Sequence, residues 1–177
     1  MDLMSQPKYA RLERERRFLL DQFPTGANVV QVRRITDRYI DGTTLRLREQ
    51  RDDGLTMFKL TQKLSSPGSG AQQGFITNMY ITGEEFQILS RLPALTLSKT
   101  RHSVPPFGID VFETGLQGLI LAEAEFDSVE EAEALIVPPF AVAEVSTDQR
   151  FTGGQIARAS RKDVAMWLLE HGIRLDP

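Results

Sequence analysis

The most informative strand of this 177-residue chain lies at residues 11–20, which read RLERERRFLL. Successive side chains of a β-strand point to opposite faces, so Glu13, Glu15 and Arg17 share one face. An antiparallel sheet usually turns its apolar alternate residues toward a core and its polar ones toward water. Whether this charged face meets water or the interior therefore separates an ordinary sheet from an unusual one.

The same period of two continues along most of the chain and predicts a mainly β (α+β) protein. The predicted strands are residues 11–20, 29–40, 43–50, 55–63, 74–81, 97–104, 108–113, 119–127 and 142–147. The predicted helices are residues 83–91, 128–136 and 154–171. We expect one domain over residues 1–177, an antiparallel barrel or sandwich with a few packed helices. Its longest loop is predicted at 65–74 (SSPGSGAQQG), and residues 1–8 are expected to form a loose tail.

Charged residues recur at alternate positions in several of these strands, with aliphatic residues between them. Leu45 and Leu47, for example, lie on the face opposite Arg46 and Arg48. The bases of this pattern are Arg17, Arg46, Arg48, Lys59, Lys63, Lys99 and Arg101, and the acids are Glu13, Glu15, Asp110, Glu123, Glu125 and Glu144. One interpretation is that they form the solvated faces of a sandwich, because most charges on strands face water.

The predicted helices favour a different interpretation. They need an apolar surface to pack on, and if the aliphatic faces of the strands supply it, the charged faces turn toward the axis of a barrel. Acids and bases crowded together there are tolerable when they compensate one another and serve a highly charged ligand. Carboxylates in a chain with no cysteine and two histidines suit Mg²⁺ or Mn²⁺, and arginine and lysine suit phosphate oxygens. A nucleotide or an inorganic polyphosphate would use both groups.

Composition excludes several other classes of protein. The absence of cysteine excludes thiolate metal sites, thiol nucleophiles and disulfides, and it fits a reducing compartment. We expect a cytoplasmic protein, because the N-terminus has no apolar run of signal-peptide length. We expect no membrane span, because no stretch approaches about 20 consecutive apolar residues. A net charge of only −3 argues against nucleic acid as a partner.

The ordered set of motifs resembles the CYTH proteins, also called triphosphate tunnel metalloenzymes. Their N-terminal E-x-E-x-K strand is matched by Glu13, Glu15 and Arg17. The other matching stretches are RYIDGTTLRLRE, LTMFKLTQK, KTRHSV, IDVFETGLQGLILAEAEF and AEVSTDQRFTGGQIA, in that order. The resemblance covers about residues 11–160, and it implies an eight-stranded antiparallel tunnel that binds a triphosphate and metal ions.

The resemblance also implies roles for the charged residues. The implied metal ligands, for Mg²⁺ or Mn²⁺, are Glu13, Glu15, Glu123 and Glu125, with Asp110 and Glu144 on the same acidic side. The implied phosphate-binding residues are Arg46, Arg48, Lys59, Lys63, Lys99 and Arg101, although Lys59 and Lys63 compete for one family position. The residues implied to take part in catalysis are Glu13, Glu15, Arg17 and Lys99.

Two departures from the family pattern concern the chemistry. Arg17 stands where the family usually has lysine, and an arginine cannot accept a proton at neutral pH. Thr77 and Met79 occupy the expected positions of fifth-strand acids, so we expect no charge from that strand.

Three functions remain open from the sequence. The favoured one is metal-dependent hydrolysis of inorganic tripolyphosphate or a related triphosphate, with thiamine triphosphate in the same class. The alternatives are ATP cyclisation of the class IV adenylyl cyclase type and a non-catalytic phosphate-binding module. The resemblance leaves a homodimer open.

Overall fold

Nine strands and four short α-helices make up residues 7–65 and 73–175, which are the residues that the computed structural model describes. The strands are β1 (Arg11–Leu20), β2 (Gln31–Ile40), β3 (Leu45–Asp52), β4 (Leu55–Ser65), β5 (Gln73–Ile81), β6 (Ala94–Val104), β7 (Phe107–Phe112), β8 (Ile120–Phe126) and β9 (Ala143–Glu144). The helices are α1 (Gly83–Leu89), α2 (Val129–Ala134), α3 (Gly153–Ile156) and α4 (Arg161–Leu169), with a 3₁₀ turn at Gln149–Phe151. Most of the predicted tail (1–8) and most of the predicted loop (65–74) lie outside the described residues. Each predicted strand is present, although the one predicted at 142–147 is only two residues long.

The strands close into an antiparallel barrel. Their order is β5-β4-β3-β2-β6-β7-β8-β1, and β1 also pairs with β5. The first residues of β1 pair with β5, as in Arg11 opposite Ile76, and the rest pair with β8, as in Arg17 opposite Glu123. The predicted eight-stranded antiparallel barrel is therefore confirmed, with β9 as a short addition to the edge of β1.

Two apolar cores lie on opposite sides of the barrel wall. The inner core closes one part of the barrel interior, where side chains of the strands pack against the C-terminal helices. It includes Leu19, Leu97, Phe112, Leu121, Phe151, Ile156, Val164 and Leu168. The outer core packs the β1, β7 and β8 surface against residues 135–141, and it includes Phe18, Leu20, Ile109, Ala122 and Phe140. Each fully buried large apolar side chain contributes about 1.5–3 kcal/mol to the free energy of folding. These two cores therefore stabilise the barrel, whose remaining interior is polar.

The helix predicted at 154–171 is wrong in one respect, since it is two helices. Residues 157–160 separate α3 from α4, and Ser160 begins α4 with a capping box in which its side chain and that of Asp163 each accept from the other's backbone N–H. Ile156 of α3 and Val164 and Leu168 of α4 nevertheless all enter the inner core. No helix within the described ranges is long and apolar enough to cross a membrane.

Candidate active site

The barrel encloses a cavity of about 420 Å³ whose lining is largely charged. Its charged residues are Arg11, Glu13, Glu15, Arg17, Arg46, Arg48, Lys59, Lys63, Lys99, Arg101, Glu123, Glu125 and Arg158. Among the described residues, the cavity lining thus has nine bases and four acids, a surplus of positive charge that suits a polyanion. Eleven of the thirteen residues predicted from the sequence lie in this lining. Their common inward direction follows from the strand alternation once the aliphatic faces are covered from outside.

One side of the cavity, which we call the basic wall, consists of inward residues of β2, β3 and β4. Asp37, Arg48 and Lys59 lie directly opposite one another across these three strands. Asp37 Oδ1 and Oδ2 accept hydrogen bonds from Arg48 Nε at 2.6 Å and Nη2 at 2.7 Å, and Arg46 Nε lies 3.6 Å from Oδ1. Burial alone would raise the pKa of Asp37, but Arg48 and Arg46 hold it below its ordinary value.

Lys59 is the least compensated base of the basic wall. No acid of the described residues lies within 4 Å of its ammonium group. Burial, together with repulsion from Arg48 and Arg46, lowers the pKa of Lys59 to about 8. This wall therefore holds a positive charge that no acid of the described residues contacts directly.

The opposite side, which we call the paired wall, carries inward residues of β1, β6, β7 and β8, in which each base has an acid partner. Asp110 is fully buried and accepts from Lys99 Nζ and, at 2.6 Å, from both Nε and Nη2 of Arg101. Arg101 also donates to Glu123, and its side chain crosses Gly108, where a Cβ would lie only 3.2 Å from Arg101 Cδ and Nε.

Other ion pairs of the paired wall involve residues of β1. Arg17 donates to Glu15, and its Nε lies 3.8 Å from Glu123. Lys63, which reaches across from β4, donates to Glu13 at 2.6 Å. Burial and the charge of Glu123 raise the pKa of Glu15. Burial would also raise the pKa of Glu123, but Lys99, Arg101 and Arg17 hold it low. The acids of the paired wall are already bound to bases. A ligand that binds here must therefore replace one of these ion pairs with a contact of its own.

Two predicted site residues do not line the cavity. Glu144 lies opposite Phe18 in the β9–β1 pair, so its side chain is on the outer face. There it accepts from Arg16 Nε at 2.8 Å and Nη2 at 2.6 Å, so the structure does not bring it together with the other predicted metal ligands. Asp110 lies on the inner face but one layer behind the lining, because Lys99 and Arg101 cover both of its oxygens.

The register of β5 also corrects the sequence interpretation. Ile76 and Asn78 line the cavity, and Thr77 and Met79 point to the other face. Within the described residues, β5 still supplies no charged side chain to the lining. Its inward-facing positions are, however, one residue away from those predicted.

Sequence reasoning missed the residues that complete the basic wall. Asp37 and Tyr39 occupy alternate positions of β2 and therefore share one face of it. The sequence does not say whether that face points inward. Tyr39 borders the cavity beside Arg46, and burial raises its pKa to about 12. A Cβ on Gly153 would lie 2.1 Å from the Tyr39 hydroxyl, so the C-terminal segment can cover this ring only with glycine there.

The carboxylates of β1 and β8 have the chemistry of a hard divalent-cation site. Glu13, Glu15, Glu123 and Glu125 all face the cavity, and Glu15 lies directly opposite Glu125. Within residues 7–65 and 73–175, however, no three acidic or histidine side chains come together as a metal-binding cluster. Their oxygen donors match the ligand chemistry of Mg²⁺ or Mn²⁺, and Glu13, Glu15 and Glu123 are each paired with a base.

Comparison with known proteins agrees with this geometry, although no family model matches the sequence. The chain is 33% identical to an inorganic triphosphatase of Nitrosomonas europaea over 153 residues, which span 82% of this chain and 96% of that protein. It resembles the crystal structure of the inorganic triphosphatase NE1496, with a TM-score of 0.54 and 26% identity over 82% of this chain and 97% of that one. The PH1819 protein of Pyrococcus horikoshii, 20% identical over 68% of this chain and 82% of that one with a TM-score of 0.52, shares the fold. The chain belongs to the CYTH family, the triphosphate tunnel metalloenzymes.

Proposed function

We propose that this protein hydrolyses inorganic triphosphate inside the barrel cavity, with Mg²⁺ or Mn²⁺ as its cofactor. The observation that carries the proposal is the closed barrel with nine bases and four acids in its lining. The similarity to an inorganic triphosphatase over almost the whole of that protein supports the same reaction. Water would attack a terminal phosphorus, and the bond from that phosphorus to its bridging oxygen would break, giving phosphate and pyrophosphate.

The basic wall is the binding surface for the phosphate chain. Arg48 and Arg46 present guanidinium N–H groups to the cavity, and these can contact phosphate oxygens in pairs. Lys59 adds a positive charge that has no described acid within 4 Å of it. Such fixed donors stabilise charge that develops on phosphate oxygens during the reaction, because they need little reorganisation.

The paired wall supplies the remaining chemistry. Lys99 and Arg101, which contact Asp110, can stabilise the negative charge of the departing phosphate when they exchange part of those contacts for it. Arg17 remains protonated between Glu15 and Glu123, so it binds charge and does not accept a proton from water. Glu13, Glu15, Glu123 and Glu125 would hold a divalent cation, which neutralises phosphate charge and acidifies water when it is bound.

The test compares substrates, metals and two matched variants. Tripolyphosphate, pyrophosphate, ATP and thiamine triphosphate are each incubated with Mg²⁺, Mn²⁺ or EDTA, and released phosphate and cyclic AMP are measured. Glu15→Gln removes a charge from the cavity, and Glu144→Gln removes the same charge from the outer face of a neighbouring strand. We expect metal-dependent phosphate release from tripolyphosphate, reduced at least about 100-fold by Glu15→Gln and little changed by Glu144→Gln. Cyclic AMP from ATP, or equal losses in the two variants, would contradict the proposal.

A further inference from the structure

Asp37 is a buried acid of the basic wall that does not line the cavity itself. Only 1% of its surface is exposed, and both of its carboxylate oxygens accept from Arg48. The two hydrogen bonds, at 2.6 and 2.7 Å, form the parallel two-point contact that fixes a guanidinium plane. Arg48 is itself buried, yet it borders the cavity.

The contact leaves one edge of Arg48 free for a ligand. An arginine has five N–H groups, and Asp37 takes the one on Nε and one of the two on Nη2. The two N–H groups of Nη1 and the second on Nη2 remain. Because the plane is fixed by Asp37, these donors have a set direction before any ligand arrives.

Arg46 depends on the same carboxylate, although less directly. Its Nε lies 3.6 Å from Asp37 Oδ1, and its Nη2 lies 3.5 Å from Thr61 Oγ1. Thr61 in turn donates to Asn78 at 2.8 Å. One buried acid on β2 thus accepts two hydrogen bonds from Arg48 and lies within ion-pair distance of Arg46, which offsets the repulsion between the two guanidinium groups.

We propose that Asp37 is a positioning residue for triphosphate binding, which fixes Arg48 and restrains Arg46 so that their free N–H groups face the cavity in advance. The proposal rests on the proposed function in that it takes triphosphate as the ligand. A flexible Arg48 would have to lose side-chain freedom when it contacts phosphate, and a fixed one has lost it on folding. Asp37 therefore strengthens binding without contacting the ligand.

The test is a double-mutant cycle on binding, with no catalysis required. The dissociation constant of tripolyphosphate is measured by calorimetry in EDTA for the wild type, Asp37→Asn, Arg48→Met and the double variant. Asp148→Asn is the matched control, because Asp148 pairs with Arg150 and does not itself line the cavity. We expect Asp37→Asn to raise Kd about 10- to 100-fold, the range typical for partners that orient a binding group. The double variant should bind more tightly than the product of the two single effects predicts, because most of the effect of Asp37 passes through Arg48.

A second measurement covers the case in which Asp37→Asn does not fold. In the wild type without ligand, the ¹⁵N relaxation of the Arg48 Nε–H group should show restricted motion, and its hydrogen exchange should be slow. Where the protein also turns over, Asp37→Asn should raise KM by more than it lowers kcat. Wild-type Kd in Asp37→Asn, effects that multiply in the double variant, or a mobile Arg48 Nε–H would each overturn the proposal. A wild type that binds tripolyphosphate but does not hydrolyse it would contradict the proposed function alone.

Discussion

The basic wall and the paired wall face the same cavity but treat their charges differently. On the basic wall, Asp37 serves two arginines and leaves Lys59 without an acid within 4 Å among the described residues. On the paired wall, Lys99 and Arg101 share Asp110, and Arg17 contacts Glu15. Positive charge is therefore available to a ligand on one wall and already neutralised on the other.

This difference indicates that the two walls bind in different ways. A phosphate chain can approach the basic wall without breaking an ion pair, because its free N–H groups already face the cavity. On the paired wall, a ligand must replace an existing contact, and a base that turns to phosphate releases a carboxylate for a cation. The four predictions below test this distinction, and they begin with the largest expected effect.

Removing the buried acid of the paired wall should cost the most stability. Asp110→Asn leaves Lys99 and Arg101 with one neutral acceptor in a fully buried position. We expect the free energy of unfolding to fall by about 3–5 kcal/mol, the usual cost of breaking a buried ion pair. The measurement is urea denaturation followed by circular dichroism.

The control for this prediction is a surface pair. Asp148→Asn removes a partner of Arg150, which also contacts Glu170, and should cost at most about 1 kcal/mol. A small effect of Asp110→Asn on stability, combined with a large loss of Mn²⁺ binding, would instead support the ligand role that the family resemblance implies for Asp110.

Asp110 also shows how far the sequence leads. Alternation along a strand predicts which residues share a face, so the charged lining and nearly every strand were predictable from sequence alone. Alternation does not predict whether an inward side chain reaches the cavity or is covered by its neighbours. Asp110 became a second layer because the longer side chains of Lys99 and Arg101 reach over it, and no periodicity in β7 encodes that contact.

Glu144 and Asp37 illustrate two other features of the site that the sequence pattern does not predict. Glu144 belongs to a two-residue strand, and its face is set by its pairing with Phe18, which is information from another part of the chain. Asp37 belongs to a strand with polar residues on both faces, so its pattern does not say which face is inward. Only the register that places Asp37 opposite Arg48 identifies it as part of the site.

The second prediction concerns the cover of the basic wall. Gly153→Ala would place a methyl group 2.1 Å from the Tyr39 hydroxyl, so the ring or the segment must move. We expect a loss of about 1–3 kcal/mol in unfolding free energy, as for other overpacked positions, and weaker tripolyphosphate binding. Gly154→Ala is the matched control, because its methyl group would lie 3.7 Å from the ring and should leave stability unchanged or improve it. Equal effects of the two substitutions would show that contact with Tyr39 is not what requires glycine at residue 153.

The third prediction is a pH dependence that belongs to the basic wall. Lys59 has a pKa of about 8, and a bound polyanion favours its charged form. Below pH 8 the lysine is already charged, so its contribution to binding is fully present. Above pH 8 binding must first protonate it, so Kd should rise with pH by at most about tenfold per unit.

The variant Lys59→Arg isolates this contribution, since arginine stays charged throughout the range. The ratio of the variant's Kd to the wild-type Kd, measured between pH 7 and 9.5 in EDTA, should fall as pH rises. Because both proteins meet the same ligand at each pH, titration of the tripolyphosphate itself cancels in the ratio. A constant ratio would remove Lys59 from the binding surface.

The smallest expected effect lies where the two walls meet. Lys63 donates to Glu13 from a side chain that is 43% exposed, so Lys63→Met should change the unfolding free energy by less than about 1 kcal/mol. The same substitution should weaken the binding of tripolyphosphate and strengthen the binding of Mn²⁺. Metal-free tripolyphosphate should bind a few-fold more weakly in low salt, because a positive charge is lost, and this difference should shrink near 1 M salt, where the Debye length is about 3 Å.

Mn²⁺ binding should instead become tighter in Lys63→Met, because Glu13 loses the base that occupies it. Calorimetric titrations of each ligand alone test both signs, with Lys162→Met on the exposed surface of α4 as the control. Weaker binding of both ligands would mean that Lys63 organises the cavity and does not compete for Glu13. Opposite signs would show that this base exchanges a carboxylate for a phosphate, which is the behaviour that distinguishes the paired wall from the basic wall.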